Sequence, residues 1–126
     1  MGKVIHIRVG SVAAKGELDD SASAQAVYRA LHVTAQVRTW GEEIYFEIAV
    51  DCPPEGDARC EMSVGEMAYW PPGKALCIFF GPTPASDSDG TPRAAGKVNP
   101  VGKIIGDPEV FQTVRDGQEI TLTPQG

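Results

Sequence analysis

Alternating hydrophobic and polar positions predict strands at both ends of the chain. Ile5, Ile7 and Val9 alternate with polar neighbours, so the span 3–9 is expected to be a half-buried strand. Weaker versions of the same pattern predict further strands over 12–18, 98–105 and 119–123.

One helix of about three turns is predicted after the second strand by an apolar stripe with a helical period. The stripe consists of Ala24, Val27, Tyr28 and Leu31. Asp19, Asp20 or Ser21 can cap its first turn, because each has a side-chain oxygen that accepts from backbone N–H groups. A second, short helix is predicted from Pro108 to Val114, with Asp107 as its cap.

A hairpin is predicted over 33–51. The span 33–40 alternates, Gly41-Glu42 forms the turn, and the returning strand 43–51 points its apolar residues inward. These inward residues are Ile44, Phe46, Ile48 and Val50. A short edge strand is predicted over 60–64.

The densest apolar stretch of the chain is 69–84. Pro72-Gly73 has the residues of a type II turn, since proline fixes φ and glycine accepts a positive φ. The continuous apolar run 75–80 predicts a strand that is buried on both faces. The polar, breaker-rich span 85–96 is expected to be a long surface loop.

These elements define the expected architecture. About eight short strands with one long and one short α-helix, without βαβ alternation, favour a mainly β protein with an antiparallel or mixed barrel. The 126 residues are expected to form a single domain, 1–126.

Charge and hydropathy argue against two classes of partner. The net charge of −6 and the scattered lysines and arginines argue against nucleic acid, because phosphate binding needs clustered basic residues. No apolar run reaches the roughly 20 residues that span a bilayer, so no membrane partner is expected. The N-terminus lacks the pattern of a signal peptide, and the expected location is cytoplasmic.

The motifs of common cofactor and metal sites are missing from the sequence. There is no nucleotide-binding glycine pattern, and the three cysteines and two histidines match no metal spacing. We therefore expect no metal and no cofactor. Glu42, Glu43 and Glu47 could pair as an acid and a base, but carboxylates in a hairpin are expected to face solvent.

Four segments resemble the cyclophilin-like family of small, uncharacterised prokaryotic proteins. They are Trp40-Gly41-Glu42-Glu43-Ile44-Tyr45-Phe46, Val64-Gly65-Glu66-Met67-Ala68-Tyr69-Trp70, 75–84, and Val114-Arg115-Asp116-Gly117-Gln118-Glu119-Ile120. The resemblance implies a closed eight-stranded cyclophilin-like β-barrel. It also implies a groove on the outer barrel surface, where cyclophilins isomerise X-Pro bonds.

The cyclophilin active-site residues carry over only in part. Arg38 lies on the strand after the helix, without the Phe-His-Arg triplet of true cyclophilins, and is the one candidate for the catalytic arginine. Six aromatic residues are predicted to contact a ligand: Trp70, Phe79, Phe80, Tyr69, Trp40 and Tyr45.

The leading hypothesis is a protein that binds a small molecule or a short, proline-containing peptide in an apolar groove without strong catalysis. The alternative is a weak peptidyl-prolyl cis-trans isomerase that uses Arg38, since isomerisation needs only differential binding of the twisted amide. A third hypothesis is an assembly role in which an oligomer interface covers the aromatic residues.

Overall fold

The computed structural model describes residues 2–125 and is dominated by strands. Ten strands occur in this range: β1 (Lys3–Val9), β2 (Val12–Leu18), β3 (Val33–Gln36), β4 (Arg38–Thr39), β5 (Glu43–Glu47), β6 (Arg59–Glu61), β7 (Glu66–Trp70), β8 (Ala75–Phe79), β9 (Arg93–Ile105) and β10 (Glu119–Pro124). They are accompanied by the helix α1 (Ala22–Ala30) and by 3-10 helices over Pro71–Gly73 and Pro108–Thr113. No helix within 2–125 has the length and apolar character needed to cross a membrane.

Nine of these strands form one antiparallel path. The hydrogen-bonded order is β3-β10-β1-β2-β9-β7-β8-β5-β4, and β6 pairs with β9 beside this path. The path has two ends, at β3 and β4, so a closed eight-stranded barrel is not confirmed. The two end strands are successive in sequence and are separated only by Val37.

Most of the predicted elements are confirmed at their expected positions. β1 and β2 have the predicted bounds. The Ser21 side chain caps α1 by accepting a hydrogen bond from the backbone N–H of Ala24 at 3.1 Å. The helix buries Ala24 and Val27 against the main core, which is the outcome expected from its apolar stripe.

Strand β8 is buried on both faces, as its continuous apolar run predicts. Leu76 and Ile78 belong to the main core, which also contains Ile5, Ile7 and Phe46. The alternate residues Cys77 and Phe79 point to the opposite face and belong to a second, smaller apolar cluster. Met62, Ala68, Ala94 and Val98 complete this outer cluster.

The loop predicted over 85–96 is too long. β9 begins at Arg93, and its first half supplies Ala94 and Val98 to the outer cluster. The small residues of this segment and the glycine and proline nearby are typical of a loop, so the strand was not predicted. The same small residues allow the backbone of β9 to approach the outer face of β8 closely. The first half of β9 therefore covers the outer face of β8.

Three further local predictions are wrong in detail. The span 33–40 splits into β3, which pairs with β10, and β4, which alone pairs with β5. The short helix after Asp107 is a 3-10 helix rather than an α-helix. Pro71–Gly73 is also a 3-10 helix, and the positive φ that follows it belongs to Lys74 and not to Gly73.

Candidate functional site

An open groove of about 840 Å³ lies beside the outer face of the sheet. We call it the outer groove. Its polar lining includes His32, Thr34, Gln36, Arg38 and Glu47, and its aromatic lining consists of Tyr45, Phe46 and Trp70. The groove therefore combines an open, polar strand edge with aromatic rings.

A smaller hollow of about 190 Å³ adjoins this groove. We call it the side pocket. It is lined by Trp40, Glu43, Tyr45, Trp70, Cys77, Ala94, Ala95 and Val98. Tyr45 and Trp70 line both hollows, so a ligand held in the groove can place one group into the pocket.

Strand register explains why these residues meet. Tyr45 is paired with Arg38 on one side and with Cys77 on the other. Trp70 is opposite Ala75, in the next strand pair along the sheet. Because alternate residues of a strand share a face, Tyr45, Cys77 and Trp70 stand on the outer face of adjacent strands.

Gly73 determines how Trp70 is held. A Cβ atom built on Gly73 would lie only 2.5 Å from ring atoms of Trp70, closer than van der Waals contact allows. The missing side chain lets the indole ring lie against the backbone of the 3-10 helix. The glycine predicted to serve a type II turn therefore makes space for the ring that lines both hollows.

The predicted ligand contacts divide into two groups. Trp40, Tyr45 and Trp70 are brought together and retain partial exposure around the side pocket. Tyr69, Phe79 and Phe80 line neither of these two hollows. Three of the six predicted ligand contacts therefore lie together around the side pocket, and three do not.

The three remaining aromatic residues belong to the core. Tyr69 is fully buried, and its hydroxyl donates to the Val50 carbonyl at 2.6 Å. Phe79 is fully buried in the outer cluster. Phe80 packs on Phe111 with 6.2 Å between ring centres. They have little or no surface for a ligand, because the core already covers them.

Arg38 lines the outer groove, and its side chain is exposed. Its Nη1 lies 3.5 Å from an Asp116 carboxylate oxygen. The other Asp116 oxygen accepts the backbone N–H of Thr39 at 3.0 Å. Asp116 therefore holds both the guanidinium group and the strand that carries it.

Glu43 was expected to face solvent, and this expectation is wrong. This residue is only 5 % exposed, because Trp40 and the first half of β9 lie around it in the side pocket. Burial raises the pKa of Glu43 from about 4.5 to about 7, against a smaller lowering by a hydrogen bond from the Cys77 thiol. The one sequence signal of this burial is the continuous apolar run of β8, which predicts that the outer face of that strand is covered. The structure pairs Glu43 with Phe79 on β8, and this pairing places Glu43 beside the covered face.

The Cys77 thiol remains protonated beside this carboxyl. Complete burial, together with the negative charge of Glu43, raises the pKa of Cys77 well above its ordinary value. Cys77 can therefore donate to the carboxyl, and it is not a reactive thiolate. No group of three or more histidine, cysteine or acidic residues within 2–125 could hold a metal ion.

The mainly β architecture of the chain is a cyclophilin-like fold. The chain belongs to the cyclophilin-like family, whose sequence profile matches residues 3–123. It is also similar to the solution structure of the hypothetical protein AF2241 from Archaeoglobus fulgidus. The two chains share 33 % identity, the match covers 98 % of this chain and 95 % of that one, and the TM-score is 0.84. A comparison with curated proteins found no match.

Proposed function

We propose that this protein binds a small molecule or short peptide in the outer groove without strong catalysis. The observation that carries the proposal is the pair Tyr45 and Trp70, which are partly exposed and shared by the groove and the side pocket. Ligand sites are typically concave, with apolar walls and a few placed polar groups. Tyr and Trp supply large contact areas and polar tips at such sites.

The proposal includes a closed barrel wall under the groove. β3 pairs with β10 and β4 pairs with β5, so one continuous segment of the chain forms both ends of the sheet path. At the residue between them, the Val37 N–H donates to the Gln118 carbonyl at 2.9 Å, and the Val37 carbonyl accepts the Gly117 N–H at 2.8 Å. A closed wall would give the groove a rigid floor, which lowers the ordering cost of binding.

A cytoplasmic location belongs to the same proposal. Cys52, Cys60 and Cys77 are all free, and free thiols are typical of reducing compartments. The net charge of −6 favours ligands other than nucleic acid.

Truncating the shared rings tests the binding function. A library of small aromatic and alicyclic compounds and X-Pro tetrapeptides would be screened by NMR through the indole N–H signals of the two tryptophans, both of which line the side pocket. We expect Trp70→Ala and Tyr45→Ala to weaken binding of the hits by about tenfold or more, since buried aromatic contacts dominate binding energy.

The control for this experiment is Tyr28→Ala. Tyr28 is a half-buried aromatic residue on α1 that lines neither hollow, so its loss should leave affinity unchanged. Wild-type affinity in folded Trp70→Ala and Tyr45→Ala proteins would show that the groove has been assigned wrongly.

Weak peptidyl-prolyl isomerisation is the second candidate. It is favoured by the cross-strand pairing of Arg38 with Tyr45, which places a cation beside the aromatic entrance to the side pocket. Donation from Arg38 to the amide nitrogen would favour the twisted form of the X-Pro bond over its ground state.

A prolyl-isomerase assay separates the two candidates. The second predicts acceleration of X-Pro isomerisation that falls on the order of 10²-fold in Arg38→Ala, the usual effect of removing one transition-state donor. Arg115→Ala, which removes an exposed neighbouring arginine, should keep full activity. Absence of acceleration in the wild type would reject the isomerase and leave the binding protein.

A further inference from the structure

One oxygen of Glu43 has no hydrogen-bond partner although it is buried. Within residues 2–125, Glu43 Oε1 is the one buried side-chain oxygen or nitrogen for which none is found. The Cys77 thiol interacts with the carboxyl, but Oε1 itself has no hydrogen-bond partner. Buried polar groups are almost always paired, so an unpaired oxygen beside a hollow requires an explanation.

No group in the lining of the side pocket donates a hydrogen bond to this oxygen. Around Glu43 are three aromatic residues, Cys77 and three small apolar residues, and the lining described by the structure includes no lysine, arginine or histidine. A buried acceptor without a donor costs about 1–3 kcal/mol. A ligand that brings a donor into the pocket would recover this free energy.

The pocket volume limits the group that can enter. The hollow of about 190 Å³ is somewhat larger than the ~150 Å³ apolar cavity that is known to hold benzene. It therefore suits one ring. Trp40, Tyr45 and Trp70 provide aromatic contacts to such a ring, which prefers edge-to-face or offset arrangements.

We propose that the side pocket is a subsite for a ring-sized apolar group that carries a hydrogen-bond donor, and that Glu43 Oε1 accepts the hydrogen bond from that donor. The inference rests on the proposed function, because the outer groove leads to this pocket through Tyr45 and Trp70. Either protonation state of the carboxyl can accept, since a protonated carboxyl keeps acceptor capacity.

The subsite distinguishes between the two candidate functions. A prolyl residue inside a peptide has no N–H, so a prolyl ring would fill the pocket and leave Oε1 unpaired. Rings with an N–H or O–H group satisfy the oxygen. The subsite therefore favours a small-molecule ligand over an internal proline.

Indole and benzofuran form a matched pair of probes for this proposal. They have nearly the same shape, and only indole has an N–H donor. We expect wild-type protein to bind indole about tenfold more tightly than benzofuran, the effect of one hydrogen bond of about 1.4 kcal/mol. Binding would be followed through the two tryptophan indole signals.

Glu43→Leu should bind indole and benzofuran equally, because it removes the acceptor and keeps an apolar pocket. Glu43→Met serves the same purpose if the branched side chain prevents folding. The control is Glu119→Leu, which removes an exposed carboxylate on β10, outside both hollows, and should keep the preference for indole.

Equal binding of both probes by wild-type protein would overturn the subsite. A preference for indole that survives in Glu43→Leu would overturn it as well. If neither probe shifts the tryptophan signals, the subsite is wrong, whereas groove binding is judged separately by the screening hits and their loss in Trp70→Ala.

Discussion

Replacing Glu43 by glutamine is expected to abolish about 3 kcal/mol of pH-dependent stability. The pKa of Glu43 is about 7 in the folded chain, against an ordinary value near 4.5. Below pH 4.5 the carboxyl is protonated in both the folded and the unfolded chain, so no stability is lost to its ionisation. Between these two pKa values only the folded chain keeps the proton, so stability falls as the pH rises and the loss is complete above pH 7.

The size of the effect follows from the separation of the two pKa values. Each pH unit between them is worth about 1.4 kcal/mol, and Glu43 is almost completely buried, so screening by solvent is small. Glutamine does not titrate. The free energy of unfolding of Glu43→Gln should therefore lack this decrease between pH 4.5 and 7.5.

Urea denaturation of both proteins at pH 4.5, 6 and 7.5 measures the difference. The other carboxylates titrate in wild type and variant alike, so their contributions cancel in the comparison. Glu47→Gln, at an exposed position of the same strand, should show the wild-type pH dependence. If the free energy of unfolding changed with pH in the same way in wild type and Glu43→Gln, Glu43 would have to be solvated in the folded protein.

The fold could be predicted largely from periodicity, because most of its strands have one clear inner face. Ile5, Ile7 and Val9 belong to the main core, as their alternation indicates. The continuous run of β8 correctly indicated two covered faces. Strand pairing was harder to predict from the sequence. β3 and β4 form one alternating stretch, yet they bond to different strands, and only tertiary contacts distinguish them.

The candidate site could be predicted only in part, because exposure of the outer face depends on a distant segment. The sequence indicated Trp40, Tyr45 and Trp70 as ligand contacts, and they meet around one pocket. It also indicated Phe79, whose position on β8 is equally apolar and aromatic. Whether such a residue lines a cavity or is covered by another strand depends on the first half of β9. The small residues of that segment are typical of a loop, so the sequence did not predict a strand there.

Phe79→Ala is expected to lower the free energy of unfolding by about 3–5 kcal/mol, the usual loss for a phenylalanine truncated inside a core. Phe79 is fully buried in the outer cluster with Met62, Ala68 and Val98. Removing the ring leaves a cavity that the surrounding strands can fill only partly, because β8 is fixed by hydrogen bonds to both β5 and β7.

Chemical denaturation of Phe79→Ala and of the milder variant Phe79→Leu measures this loss, and we expect the leucine variant to be clearly less destabilised. Trp70→Ala is the informative comparison on the same face of the sheet. Trp70 is partly exposed to both hollows, so its truncation should cost less stability than that of Phe79 and more ligand affinity. The opposite result would be a Phe79→Ala protein that is stable but has lost ligand binding. It would make Phe79 a ligand contact and would require the outer cluster to open, because only an open cluster exposes that ring.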